Sequence, residues 1–272
     1  MQKINVIGVG GAALKIINQL IDAGVENNFY VVDCEQQELA KSKAKHVIAI
    51  GKETTRGLRT AGDVLAGKRA ARENEGEVKE IVSDAELVLL IAGLGGGVGS
   101  SVSAEIARLA KEANNKTQVV AVVTTPFKQE GNKAVCCAEV GLKDLTTYTD
   151  ADIILKQETV TYGTIDFPRA DAIFVQYLTE LLPTLQSVKE SDLSSILSES
   201  NPRPYFSITV KKQTTEQQCI RDTANYKSAV ELAKREGVAA KEIADITEQP
   251  GLSDGAKFHK LLKTIDRKRK SK

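Results

Sequence analysis

Two glycine-rich segments carry the strongest chemical signal in the sequence. Gly8–Ala13 and Gly93–Ser101 each follow a short apolar run and precede a helical pattern. Glycines at a strand-to-helix turn let backbone N–H groups approach a phosphate, and the dipole of the following helix favours its negative charge. Two such turns in one chain predict a site that surrounds the phosphates of a nucleotide.

The first segment also matches the fingerprint of dinucleotide-binding proteins. Gly8, Gly10 and Ala13 follow a predicted strand, and Asp33 closes the next strand about 20 residues later. A dinucleotide site needs only one glycine-rich turn, and no histidine or lysine in a catalytic setting accompanies this one. An oxidoreductase that binds NAD therefore stays open as an alternative interpretation. A Walker-type phosphate loop is excluded, because the pattern Gly-x-x-x-x-Gly-Lys-(Ser/Thr) does not occur.

The glycine-rich turns lie within an alternation of strands and helices. Predicted strands cover residues 3–8, 29–33, 46–50, 86–92, 118–123 and 151–155, and predicted helices cover 64–82, 101–113, about 131–147 and 169–186. Strands separated by helices of this length are typical of an α/β fold. We expect a Rossmann-like parallel sheet with helices on both faces, followed by one longer core helix.

The pattern changes near residues 187–204, where serines cluster and Asn201-Pro202-Arg203-Pro204 interrupts any helix. We therefore expect a nucleotide-binding domain over 1–186, which includes core helix 169–186. The second region, 187–272, is expected to be reduced and mostly helical, with one strand near 205–210 and a basic helical tail.

Composition limits the class of protein. The 272 residues carry a net charge of +1, so charge gives no reason to expect a nucleic-acid partner. Four cysteines without CxxC spacing and two histidines predict no metal site. No signal peptide and no apolar run of about 20 residues occur, which predicts a cytoplasmic protein. The basic run Arg267–Lys272 is expected to be solvated, with weak contact to an anionic membrane surface as the alternative.

Five motifs resemble those of the tubulin/FtsZ superfamily, in the same order and at the same spacing. They are Val6–Gly11, Ile48–Gly51, Thr55–Leu58, Gly93–Gly99, and Val122–Phe127 running into Glu130-Gly131. The resemblance covers roughly residues 3–200 and implies the fold of that family's GTPase domain. It also implies GTP or GDP as ligand, with Mg²⁺ as companion ion. The implied role is cytoskeletal, in cell division, through self-association into oligomers or filaments or through assembly with another FtsZ-like protein.

The resemblance implies a set of nucleotide-binding positions. They are Gly8, Gly10, Gly11, Gly95, Gly96, Gly97, Val98 and Gly99 at the phosphates, Glu130 at the ribose, and Gln157 and Tyr177 at the base. Several contacts depart from the family pattern. Val98 replaces a threonine, Ala134 replaces an arginine, and Lys15 replaces an asparagine. A loose alignment also places the carboxylate of Asp63 near the third phosphate.

The catalytic loop departs further. In the family, a loop of pattern Asn-x-Asp-x-x-Asp from one subunit polarises water at the nucleotide of the next. The matching stretch is Ser187–Asp192, in which Asp192 keeps the last acid, Lys189 replaces the first, and Glu190 is the nearest substitute. Asp192 and Glu190 are therefore the candidate catalytic residues. General-base help contributes about 10²–10⁴-fold to a rate, so weak or absent hydrolysis is expected.

Two interpretations within the family follow from these residues. In the first, the GTP site is degenerate and the protein acts by self-association or by binding a partner. In the second, it is a working GTPase that polymerises. A regulatory module that kept the fold and lost the ligand, and the NAD-binding oxidoreductase, are the remaining alternatives.

Overall fold

A computed structural model of the protein describes residues 3–187, 205–210 and 238–248, together with residues 197, 230, 234 and 264. The chain divides into two compact units, Met1–Lys211 and Lys212–Lys272. The candidate catalytic residues Glu190 and Asp192 and the basic run Arg267–Lys272 lie outside the described residues, as does most of the predicted boundary over 187–204.

The first unit contains a seven-stranded sheet. Its strands are β1 (Ile4–Val9), β2 (Asn28–Asp33), β3 (His46–Ala49), β4 (Leu87–Gly93), β5 (Gln118–Thr125), β6 (Ala151–Lys156) and β7 (Phe206–Val210). They are ordered β3-β2-β1-β4-β5-β6-β7. β1 to β6 pair in parallel, and β7 joins the edge of β6 antiparallel. The predicted parallel α/β sheet is confirmed.

Helices cover both faces of this sheet. They are α1 (Gly10–Asp22), α2 (Gln36–Leu39), α3 (Lys52–Thr55), α4 (Val64–Glu73), α5 (Glu75–Ser83), α6 (Gly97–Ala113), α7 (Asn132–Thr146), α8 (Gln157–Val160) and α9 (Phe167–Ser187). One apolar cluster packs α1 and α9 on one face, and another packs α4 to α7 on the other. The central strands are buried on both faces, as their continuous apolar runs predict.

Three helix boundaries differ from the predicted ones. The predicted helix over 64–82 is two helices, because Asn74 leaves helical geometry and its side chain accepts a hydrogen bond from Gly51 N at 2.9 Å. α6 begins at Gly97 rather than near residue 101, so the glycines themselves form its first turn. The core helix α9 begins at Phe167, two residues earlier than predicted.

In the second unit, the structure describes helix α10 (Ala240–Thr247). Across both units, none of the described helices combines the length and the apolarity that a membrane span requires.

Candidate functional site

A cavity of about 570 Å³ opens at the carboxyl ends of the parallel strands. It lies between β1 and its neighbour β4. Strands β2 and β3 lie on one side of β1, and β4 to β7 lie on the other side, so the direction of strand order reverses at this point. Ligands of open α/β sheets bind at such a switch point, because the loops on its two sides diverge and leave a crevice.

Two helix N-termini meet at this cavity. α1 begins at Gly10 and α6 at Gly97, and among the described residues neither helix has a side-chain cap or an acid in its first turn. The first N–H groups of a helix have no partner within the helix, and they carry a partial positive charge. The two ends are in close contact, since a β-carbon at Gly10 would lie 3.4 Å from Gly99 N. Gly10 also has a φ of +84°, which favours glycine.

Three buried serines hold the shape of the second glycine loop. Ser100 Oγ accepts a hydrogen bond from Gly95 N at 2.8 Å. Ser101 Oγ and Ser103 Oγ donate to the carbonyl oxygens one turn earlier, at 2.6 and 2.7 Å. These hydroxyls are therefore engaged within the loop and in α6. Val98, which is 7% exposed, presents an apolar side chain to the cavity instead of a hydroxyl.

The loop Thr60–Gly62 forms one wall of the cavity. The next residue, Asp63, caps α4: its carboxylate accepts a hydrogen bond from Ala66 N at 2.9 Å. That bond holds the pKa of Asp63 below its ordinary value. Asp63 is not among the described residues that line the cavity, and its placement near a third phosphate stays a prediction.

Carboxylates at the end of β2 make one side of the cavity acidic. Asp33 is 4% exposed, and its Oδ1 accepts hydrogen bonds from Cys34 N at 2.6 Å and Glu35 N at 3.3 Å. Burial raises the pKa of the Asp33 carboxyl above its ordinary value. Glu35 and Glu38 line the same side, and Arg59 lies 3.5 Å from Glu35. Glu38 in turn forms an ion pair with Lys41, so both glutamates have cationic partners, and it is the buried carboxylate of Asp33 that disfavours additional negative charge on this side.

The opposite end of the cavity combines an aromatic ring with polar groups. Phe167 is 43% exposed and contacts Phe127 edge to face, with ring centroids 5.2 Å apart. The Gln157 side chain lines the cavity although the residue is only 7% exposed. Asp171 follows Phe167 by four residues on α9, and burial raises its pKa while Lys15 opposes that rise. A planar ring with exchangeable N–H groups fits this end.

Most of the positions that the sequence analysis assigned to nucleotide binding lie together. Those that line the cavity are Gly10, Gly11, Gly96, Gly97, Val98, Gly99, Glu130 and Gln157. Glu130 Oε1 accepts a hydrogen bond from Phe127 N at 2.8 Å, so it also closes its own turn. Gly8 lies behind the cavity within β1, where a β-carbon would meet Ile17 at 2.4 Å.

Two further assigned positions, Gly95 and Tyr177, do not line the cavity. Gly95 lies in the loop beside Pro126, which a β-carbon would approach to 3.1 Å. Tyr177 is 5% exposed in the core, and its ring stacks on Phe206 with centroids 4.1 Å apart. Sequence reasoning missed Phe167 because the predicted helix began after it, at residue 169. It missed Asp171 because the resemblance placed the base contact of this helix at Tyr177.

The comparison with known protein families gives the decisive observation. Residues 3–161 match the family described as "Tubulin/FtsZ family, GTPase domain". The chain belongs to the tubulin/FtsZ family. The resemblance to this family, which rested on the five sequence motifs, is thereby confirmed.

Individual FtsZ proteins share this sequence pattern. The chain is 35% identical to cell division protein FtsZ 1 of Pyrococcus woesei over 209 residues, which is 72% of this chain and 57% of that protein. It is 38% identical to FtsZ of Helicobacter pylori over 160 residues, 58% of this chain and 41% of that protein. The chain thus spans about half the length of these FtsZ relatives.

Solved structures of the family share the fold. An empty FtsZ dimer from M. jannaschii superposes with a TM-score of 0.63 at 32% identity, covering 66% of this chain and 54% of that one. CetZ from Methanosaeta thermophila gives a TM-score of 0.63 at 19% identity, covering 73% and 59%. The likeness to CetZ concerns the fold alone.

Proposed function

We propose that this tubulin/FtsZ-family protein binds a guanine nucleotide in the cavity, with the diphosphate at the N-termini of α1 and α6. The observation that carries the proposal is the convergence of these two uncapped helix ends at Gly10 and Gly99. The glycines leave room for phosphate oxygens to reach the backbone N–H groups. The base would lie at the far end, against Phe167 and within reach of Asp171 and Gln157.

The same proposal holds that the site is degenerate. Val98 offers phosphate no hydroxyl, and the buried carboxylate of Asp33 lies beside Gly11. Charges of like sign repel strongly where water is excluded, so a triphosphate binds weakly unless a cation accompanies it. Among the described residues, no group of three or more acids, histidines or cysteines is arranged to hold a metal ion. Mg²⁺ would be held by oxygens of the bound phosphates together with water molecules.

Weak or absent hydrolysis completes the proposal. Glu190 and Asp192 stay the candidate catalytic residues, and Lys189 stands where the family has an acid. The protein then acts by self-association or by binding a partner such as another FtsZ-like protein. A second candidate, a polymer-forming GTPase of ordinary activity, is favoured by Gly95, Gly96 and Gly97 in the second glycine loop and by Glu130.

Calorimetric titration of the nucleotide-stripped protein tests the proposal. GTP and GDP are titrated with Mg²⁺, and ATP and NAD serve as controls. Saturable, guanine-selective binding in the titration, together with slow phosphate release from GTP in a separate hydrolysis assay, supports the degenerate site. Fast release, together with GTP-dependent sedimentation, favours the second candidate. Absence of binding by all four ligands refutes nucleotide binding and directs the search to protein partners.

A further inference from the structure

Residues Thr60–Gly62 of the cavity wall and the following Asp63 are called the wall loop from here on. Helix α7 contacts this loop on the side away from the cavity. Lys133 Nζ donates a hydrogen bond to the carbonyl oxygen of Ala61 at 2.9 Å. One turn later on the same helix, the thiol of Cys137 contacts the carbonyl oxygen of Gly62 at 3.4 Å. The two segments are more than 70 residues apart in the sequence, since Lys133 follows Ala61 by 72 positions. These bonds therefore tie two separate parts of the chain together at the cavity.

The residue that Lys133 holds has an unusual backbone conformation. Ala61 has a φ of +48°, in the left-handed region. A residue with a β-carbon pays about 1–2 kcal/mol to adopt that conformation, and it persists only where the surroundings hold it. The hydrogen bond from Lys133 ends on the carbonyl group of this same residue, so it acts where the strain is.

The wall loop also packs directly on the second glycine loop. A β-carbon at Gly97 would lie 2.2 Å from Thr60 Oγ1 and 3.0 Å from Asp63 N. On its other side, a β-carbon at Gly62 would lie 3.1 Å from Lys133 Cε. The wall loop is therefore enclosed between the first turn of α6 and the side chain of Lys133, and its position sets the width of the cavity at the phosphate end.

We propose that Lys133 is a positioning residue: its hydrogen bond to Ala61 holds the wall loop against Gly97 before any ligand is present. This inference rests on the proposed function, because the wall that Lys133 holds bounds the proposed phosphate site. Lys133 is exposed, and it contacts the wall loop without entering the core. It shapes the site through the loop rather than by touching the ligand.

Substitution of Lys133 by methionine tests the first half of the inference without any nucleotide. Asp63 N donates to Thr60 O at 2.9 Å within the wall loop, so the exchange rate of this amide reports how often the loop opens. Losing one hydrogen bond is expected to accelerate that exchange about five- to tenfold in Lys133→Met. GDP affinity falls by a similar factor. Lys143→Met, an exposed site on the same helix, is the matched control and leaves both quantities unchanged.

A second substitution separates positioning from charge. Glycine adopts a φ of +48° without strain, so Ala61→Gly in the Lys133→Met background is expected to restore most of the amide protection and GDP affinity. Unchanged exchange in Lys133→Met, or a loss of affinity that Ala61→Gly leaves uncorrected, overturns the inference. Accelerated exchange with no GDP binding by the wild type refutes the proposed function instead, and leaves the hold of Lys133 on the loop established.

Discussion

Gly99 lies against the carbonyl group of Gly93: a β-carbon at position 99 would lie 2.2 Å from the Gly93 oxygen. This contact joins the end of β4 to the first turn of α6, and it fixes where the helix N-terminus faces the cavity. The obstructing atom belongs to the backbone of a central strand, so it cannot move aside as the end of a side chain can. The closeness of α6 to the sheet therefore depends on the glycine.

Gly99→Ala is expected to destabilise the protein by about 1–3 kcal/mol, because overpacking forces the helix away from the strand. Nucleotide affinity falls as well, since the α6 N–H groups leave their positions. Chemical denaturation with and without GDP measures both. Gly76→Ala is the control: no described atom lies within 4 Å of its β-carbon, and alanine stabilises a helix by about 0.5–1 kcal/mol. Equal stability of the two variants would contradict the expectation.

Asp33→Asn is expected to make the protein more stable at neutral pH. Burial gives the Asp33 carboxyl a higher pKa in the folded protein than its ordinary value of 3.8, so the folded state binds the proton more tightly than the unfolded chain does. The stability that this group contributes is therefore complete below pH 3.8 and is lost as pH rises through the folded-state pKa. Asparagine keeps a side-chain oxygen that accepts hydrogen bonds from Cys34 N and Glu35 N. Because asparagine does not ionise, the variant does not lose stability in this way as pH rises.

Denaturation from pH 3 to pH 8 measures this effect. The advantage of Asp33→Asn over the wild type grows with pH and disappears at the acidic end. The variant should also bind GDP more tightly, because one negative charge beside Gly11 is gone. Asp22→Asn, which breaks an exposed ion pair with Lys43, is the control and gives no gain of either kind. An advantage that does not change with pH would show that desolvation of the charge is not its source.

Truncation of Phe167 is expected to lower mainly nucleotide affinity, whereas truncation of Tyr177 is expected to lower mainly the stability of the fold. Phe167→Ala removes the exposed ring at the cavity and weakens nucleotide binding by about 1–3 kcal/mol, with little loss of stability. Tyr177→Ala removes a buried ring that stacks on Phe206, and costs about 3–5 kcal/mol of stability. Calorimetry and denaturation of both variants check this. Tyr177→Phe, which keeps the stacked ring, retains nucleotide affinity; a strong loss would mean that Tyr177 contacts the ligand.

Restoring the family residues at two positions tests whether the site has merely lost contacts. Val98→Thr combined with Ala134→Arg is expected to tighten GTP binding at least about tenfold, because a hydrogen bond to a charged group contributes about 1.5–3 kcal/mol. The control Val102→Thr places the same hydroxyl one turn further along α6, away from the cavity, and changes only stability. Unchanged GTP affinity in the double variant would contradict the loss-of-contact explanation.

The sequence predicted the sheet because its central strands are continuous apolar runs that alternate with helical segments, a pattern typical of a parallel sheet covered on both faces. It also predicted the cradle at Gly10 and Gly97, because glycine-rich turns between a strand and a helix have few other uses. The alignment did not predict the position of Tyr177 in the core, since helical spacing alone does not say which face of α9 meets the sheet. Nor did it predict the cap formed by Asp63, since a local hydrogen bond to Ala66 decided the orientation of that carboxylate.

The three serines of α6 have a consequence for the exchange of ligand. Because Ser100, Ser101 and Ser103 hold the second glycine loop through hydrogen bonds inside the protein, we expect the loop to keep the same shape with and without a ligand. A site that is preorganised in this way loses little conformational entropy when a ligand enters, and regains little when it departs. The ligand-free protein is thus expected to persist as a stable species, so that turnover of the ligand proceeds without local unfolding.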